Sequence, residues 1–138
     1  MRDGIRVAEN VAAAMLEQAR VNPLEECCGL LAGRRATVTH IFPARNAAHS
    51  PGTSYEIAPA ELFGLMREIR ASGLEMLGIY HSHPASENRP SARDIERAYY
   101  PGVAYFIISP RPEARTPIRA FSLCEGCAAE LDIELTTS

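Results

Sequence analysis

The stretch Leu77-Gly78-Ile79-Tyr80-His81-Ser82-His83-Pro84 restricts this chain more than any other. The apolar run from Leu74 to Tyr80 predicts a short buried strand that runs straight into two histidines one residue apart. Side chains alternate along a strand, so His81 and His83 point to the same side, close enough to share one ion. Pro84 has no amide proton to give to a ladder and ends the strand.

A carboxylate follows eleven residues after His83. Pro90-Ser91-Ala92-Arg93-Asp94-Ile95-Glu96-Arg97 predicts a helix start with Ser91 as N-cap and Asp94 at the third helical position, the spacing of a capping box. Two readings stand side by side. In one, Ser91 and Asp94 only satisfy first-turn amides, and the histidines are ordinary residues at a strand end. In the other, the proline-bounded loop brings Asp94 to the histidine pair and the three form a metal site. Two neutral imidazoles and a carboxylate leave a position open, as expected of catalytic rather than closed structural zinc.

Zinc in an open site lowers the pKa of water toward neutrality, and a hydrolase then needs a group that takes the proton and hands it to the leaving amine. Glu26, in Glu25-Glu26-Cys27-Cys28-Gly29-Leu30-Leu31, is the candidate, because an acid at the entrance to a buried strand has no packing role. The same ligand types also suit the facial triad of a non-haem Fe(II) oxygenase, which needs open positions for oxygen and no Glu26. A non-catalytic, metal-bearing protein-interaction module would need neither Glu26 nor Ser91.

Taken together, Glu26-x-Cys28-Gly29-Leu30-Leu31-x-Gly33, Gly78-x-Tyr80-His81-Ser82-His83-Pro84 and Ser91-x-x-Asp94 resemble the signature of the JAMM metalloproteases. These are the catalytically competent branch of the MPN (Mov34/PAD-1) domain family, and the resemblance runs from Val7 to about Ser122. It implies zinc on His81, His83 and Asp94, Glu26 as general acid/base, and Ser91 as support for the developing oxyanion. It also implies a cytidine-deaminase-like arrangement. With little room for insertions, the chain is similar to the minimal bacterial and archaeal form. Some such relatives remove a C-terminal extension from a carrier protein. The implied substrate is a peptide or isopeptide bond at the tail of a ubiquitin-like or sulfur-carrier protein.

The length of 138 residues suits a single domain, 1–138. A formal net charge of -3 gives no general attraction to nucleic acid, and no phosphate-cradling glycine loop or serine nucleophile elbow is evident. No apolar run approaches the length of a membrane span and no signal-peptide core follows Met1, so a cytoplasmic protein is expected.

Around the motif the expected order is a strand at Ile5–Val7, a helix from Ala8 to Arg20, and a hairpin of Cys28–Ala32 with Thr37–Phe42. A polar loop from Pro43 to Thr53 carries Asn46 and His49. An edge strand at Tyr55–Ile57 and a helix from Glu61 to Ser72 follow. Val103–Ile108 should be a central strand, with late strands at Ile118–Leu123 and Glu130–Leu135. The fold class expected is α/β, a mixed, mostly antiparallel curved sheet flanked by helices. Glu26 and the histidines would meet at one sheet edge. His49 has no spacing that ties it to the other ligands, and His40 reads as structural. Cys28 reads as a small buried residue. Cys124-x-x-Cys127 has the spacing of a metal knuckle or a disulfide, which leaves a second metal, a bridge or free thiols open.

Overall fold

The computed structural model describes residues 3–124 and 126–137. Its elements are β1 (Gly4–Ala8), α1 (Glu9–Val21), β2 (Cys28–Arg34), β3 (Thr37–Ala44), α2 (Pro59–Ala71), β4 (Glu75–Ser82), α3 (Ala92–Glu96), β5 (Ala104–Ile108), β6 (Ile118–Cys124) and β7 (Cys127–Thr136). The strands pair in the order β1-β3-β2-β4-β5-β6-β7 and close into a barrel. This corrects the expected open, curved sheet. Mixed pairing and flanking helices are present, but β1 lies parallel to both β3 and β7, with Ile5 opposite Ile133 and Val7 opposite Val38, and so joins the two ends.

Strand β4 sits between β2, antiparallel with Cys28 opposite His81, and β5, parallel with His81 opposite Ile107. Both faces of this part of the sheet are covered. Tyr80, Phe106 and Ile108 pack with Val11, Met15 and Ala19 of α1, while Ile79, Tyr105 and Ile107 pack with Ile69 of α2. Double coverage explains why β5 reads as an unbroken apolar run rather than an alternating one. Gly29 is required where Tyr80 crosses β2: a Cβ there would meet Phe42 O and the Tyr80 hydroxyl, each at 2.5 Å. The Tyr80 hydroxyl donates to Gln18 Oε1 and so ties α1 to the strand that carries the histidines.

The β2–β3 hairpin turns through Arg35 and Ala36, both at positive φ (54° and 59°), the two-residue turn whose twist suits flanking strands. The expected edge strand at Tyr55–Ile57 is not formed. Asn46 Oδ1 takes the Glu56 amide at 3.2 Å, and the Glu56 carbonyl takes the Ala47 amide at 2.8 Å, so this segment is folded back on its own loop. Among the described residues, no helix is long and apolar enough to cross a membrane.

Candidate active site

His81 is the second-last residue of β4 and His83 the first after it, the His83 amide donating to Ile108 O at 2.9 Å. Their imidazoles converge with the Asp94 carboxylate. His81 Nε2 lies 3.2 Å from His83 Nε2 and 3.2 Å from Asp94 Oδ1, and His83 Nε2 lies 3.1 Å from Asp94 Oδ2. These spacings are close to the edge of a tetrahedron drawn around zinc at ordinary Zn–N and Zn–O distances, about 3.3 Å. The donor set therefore fits a divalent ion. It forms the only His/Cys/Asp/Glu group able to hold one among the described residues.

Each arm of the cluster is fixed by its own contacts. His83 Nδ1 donates to the Glu87 carbonyl at 2.8 Å, which leaves Nε2 to face the other ligands. Glu87 is held in turn by buried Asn88, whose amide donates to Thr116 O at 2.8 Å and Ile107 O at 3.3 Å. Asp94 is fixed by the capping box: its amide donates to Ser91 Oγ at 3.1 Å, and its Oδ2 accepts from the Ser91 amide at 2.9 Å. Cap and ligand cluster, which stood as competing readings of the sequence, are one arrangement. Burial pushes the Asp94 carboxyl up, but the hydrogen bonds from both histidines outweigh it and hold it well below the usual carboxylate range. Burial pulls His81 down. In His83 the same effect is overcome by the bonds to Asp94 and Glu87, and its net shift is upward.

Glu26 arrives from the other side, two residues before β2. The Cys27 amide donates to Ser82 Oγ at 2.9 Å and the Ser82 amide to Cys27 O at 3.1 Å, which extends the β2–β4 contact to the histidines. The Glu26 amide donates to Pro51 O at 2.8 Å, and its carbonyl takes Asn46 Nδ2 at 3.0 Å. The residue is 7% exposed. Burial pushes its carboxyl up to about 7, with Asp94 adding to the rise and His83 and Arg93 opposing it. Glu26, His83, Ser91 and Asp94 all line one cleft of about 910 Å³, which Leu62, Tyr99 and Tyr100 line as well. The expected meeting of Glu26 and the histidines occurs, at a mouth of the closed barrel rather than at a sheet edge.

His49 is exposed and outside the cluster, and His40 is an exposed β3 residue bonded to Thr39 Oγ1 at 2.8 Å. Cys28 is fully buried. Cys124 and Cys127 are paired positions flanking the β6–β7 turn; the Cys124 side chain lies outside the described residues. Sequence reasoning missed three contributors. Ser82 had a signal, since it must face away from the histidines it separates. Asn46 had one in its polar, Pro- and Gly-containing loop, where its Oδ1 closes an Asx turn on the Ala48 amide at 2.9 Å. Tyr55, stacked on His81, had none.

A shared three-donor cluster with an open side and a carboxylate of raised pKa in the same cleft defines the metallohydrolase class. The family description "prokaryotic homologs of the JAB domain" matches residues 8–124, so the chain belongs to this family, a branch of the JAMM/MPN zinc metalloproteases. It is 40% identical over 104 residues to a desampylase of Haloferax volcanii, covering 74% of this chain and 75% of that protein. It is 38% identical over 120 residues to a probable TtuB-protein conjugate cleaving protease of Thermus thermophilus, covering 84% and 76%. A CysO-cysteine peptidase of Mycobacterium tuberculosis is 32% identical over 127 residues, covering 90% and 86%. Among solved structures, protein DSY2949 from Desulfitobacterium hafniense superposes with a TM-score of 0.85 at 34% identity, covering 97% of this chain and 94% of that one.

Proposed function

We propose that this single-domain, cytoplasmic protein holds zinc on His81, His83 and Asp94 and hydrolyses a peptide or isopeptide bond at the C-terminal tail of a ubiquitin-like or sulfur-carrier protein. The observation that carries the chemistry is Glu26: a buried carboxyl that shares one cleft with His83 and Asp94. An iron oxygenase or a metal-bearing interaction module has no use for such a group. The chain's relatives, a desampylase, a probable TtuB-protein conjugate cleaving protease and a CysO-cysteine peptidase, support the substrate class.

Zinc in this site supplies a Lewis acid and lowers the pKa of water. Glu26, buried in the same cleft as the cluster, takes a proton from the attacking water and returns it to the departing amine. Ser91 Oγ accepts from the Asp94 amide, so its own hydrogen is free to be donated to the oxyanion that develops on the scissile carbonyl. The cleft, lined by Ser54, Tyr55, Ile57, Leu62, Ser91 and Tyr99, is where an extended tail of small residues would lie.

The test is zinc content and turnover of the wild type, Glu26→Gln and Asp94→Ala. Substrates are a sulfur-carrier protein extended at its C-terminus by cysteine and the same carrier joined to a lysine side chain, with release followed by intact mass. About one zinc per chain is expected in the wild type and in Glu26→Gln, and almost none in Asp94→Ala. Glu26→Gln should lose ~10²- to 10⁴-fold in turnover; a loss under about tenfold would sink its role. Equal zinc in Asp94→Ala would dismiss the metal site, and oxygen consumption with added Fe(II) would favour the oxygenase. Cleavage of unrelated peptides without release from either carrier would overturn the substrate alone.

A further inference from the structure

The two histidines of the cluster are supported unequally. A metal-ligating imidazole ordinarily donates its second ring nitrogen to a carbonyl, carboxylate or water, which fixes the ring about its bond to Cβ. His83 has this support from the Glu87 carbonyl. For His81 no protein group does this: its Nδ1 is buried, and none of the described residues bonds it. Instead the Tyr55 ring lies against the His81 imidazole, with centroids 4.4 Å apart and planes 18° from parallel. Rotation that carried Nε2 away from Asp94 would turn the imidazole edge into the phenol ring.

Tyr55 is itself held from both sides. The carbonyl of the preceding residue, Ser54, accepts from Asn46 Nδ2 at 2.9 Å, and the amide of the following residue, Glu56, donates to Asn46 Oδ1 at 3.2 Å. The same Asn46 amide group bonds the Glu26 carbonyl. One side chain thus spans the backbone of the candidate base and the segment that presses on a candidate ligand.

We infer that Tyr55 is a positioning residue: its ring face, clamped by Asn46, sets the orientation of His81, to which no protein group among the described residues offers a hydrogen bond at Nδ1. Stacking is sufficient because an offset, near-parallel contact restricts ring rotation without requiring a polar partner. The hydroxyl has no part in this, so the ring alone should carry the effect. The inference rests on the zinc reading above.

Zinc affinity separates the two, measured by competition with a chromophoric chelator on the whole chain, alongside melting of the metal-free protein. Tyr55→Leu should weaken zinc binding ~10- to 100-fold, the usual effect of losing an outer support of a ligand, while metal-free melting shifts by only a few degrees. Tyr55→Phe should stay within about twofold of wild type, since the stacking face is retained. If Tyr55→Leu does not fold, Tyr55→Met fills the volume without a flat face and is expected to show the same loss. Wild-type affinity in Leu or Met would overturn the inference, as would an equal loss in Phe, which would assign the effect to the hydroxyl. A wild type that binds no zinc would remove the metal reading itself.

Discussion

Two serines flank the ligand cluster, and they do opposite work. Ser82 lies at the end of β4, fully buried between two histidines, and its hydroxyl accepts the Cys27 amide beside Glu26. Ser91 is exposed at the head of α3, a five-residue helix with no buried residue, and its hydroxyl accepts the Asp94 amide. The strand side of the site is therefore part of the barrel, since whatever moves Ser82 also disturbs β2 and β4. The helix side rests on the barrel through half-buried Ile95 and Ala98, while the Ser91 cap is internal to its first turn, so the cap can change while the barrel stays as it is. Ligands from a rigid wall and a ligand from a local, hydrogen-bonded turn meet at one point. Chemistry and stability should separate accordingly.

The largest effect expected is on turnover, at the helix side. Ser91→Ala should lower kcat by ~10²-fold or more if the hydroxyl serves the oxyanion. Zinc should be retained and the stability loss confined to about 1 kcal/mol for the lost cap. Kinetics, zinc content and melting on one preparation decide it, and unchanged kcat would reduce Ser91 to a cap. On the strand side the order reverses. Ser82→Ala leaves the Cys27 amide without its acceptor, which should cost about 1–3 kcal/mol and lower the melting temperature by several degrees. A melting shift smaller than that of Ser91→Ala would break the contrast between the two serines.

The third effect concerns pH. In the metal-free protein the Glu26 carboxyl is raised by burial from its ordinary 4.5 to about 7. The folded state therefore favours the protonated form, and that stabilisation is complete below about pH 4.5 and is lost as pH rises through 7. Gln carries no such charge. Glu26→Gln should melt like the wild type at pH 4 and a few degrees higher at pH 8, both with zinc removed. A difference that is constant with pH would mean that Glu26 ionises in the folded chain as it does in water.

Much of the site was legible because its parts lie in short motifs. The strand run into His81 and His83 gave their shared side by period two, and Ser91 with Asp94 announced a helix start. What stayed open was whether Asp94 capped or ligated, and the structure shows why spacing could not decide: its Oδ2 meets both the Ser91 amide and His83. Tyr55 was illegible as a partner of His81, since their contact depends on how Asn46 folds a loop. The same loop uses the amide and carbonyl of Glu56 that a strand at Tyr55–Ile57 would have needed. Closure of the barrel was also out of reach. Ile5-Arg6-Val7 alternates as a strand should, but alternation fixes a face and not a neighbour.

That N-terminal strand has a consequence for assembly. An open sheet presents two rows of unpaired amides and carbonyls to any passing strand, and proteins guard such edges with charge, bulges or coverage. Here five residues, Gly4–Ala8, occupy both edges at once, parallel to β3 on one side and to β7 on the other. Strand β1 acts as a keystone whose removal would unmask two sticky borders together. Proteolytic clipping or a displaced N-terminus would then turn a self-contained ring into a unit able to add strands from its own copies.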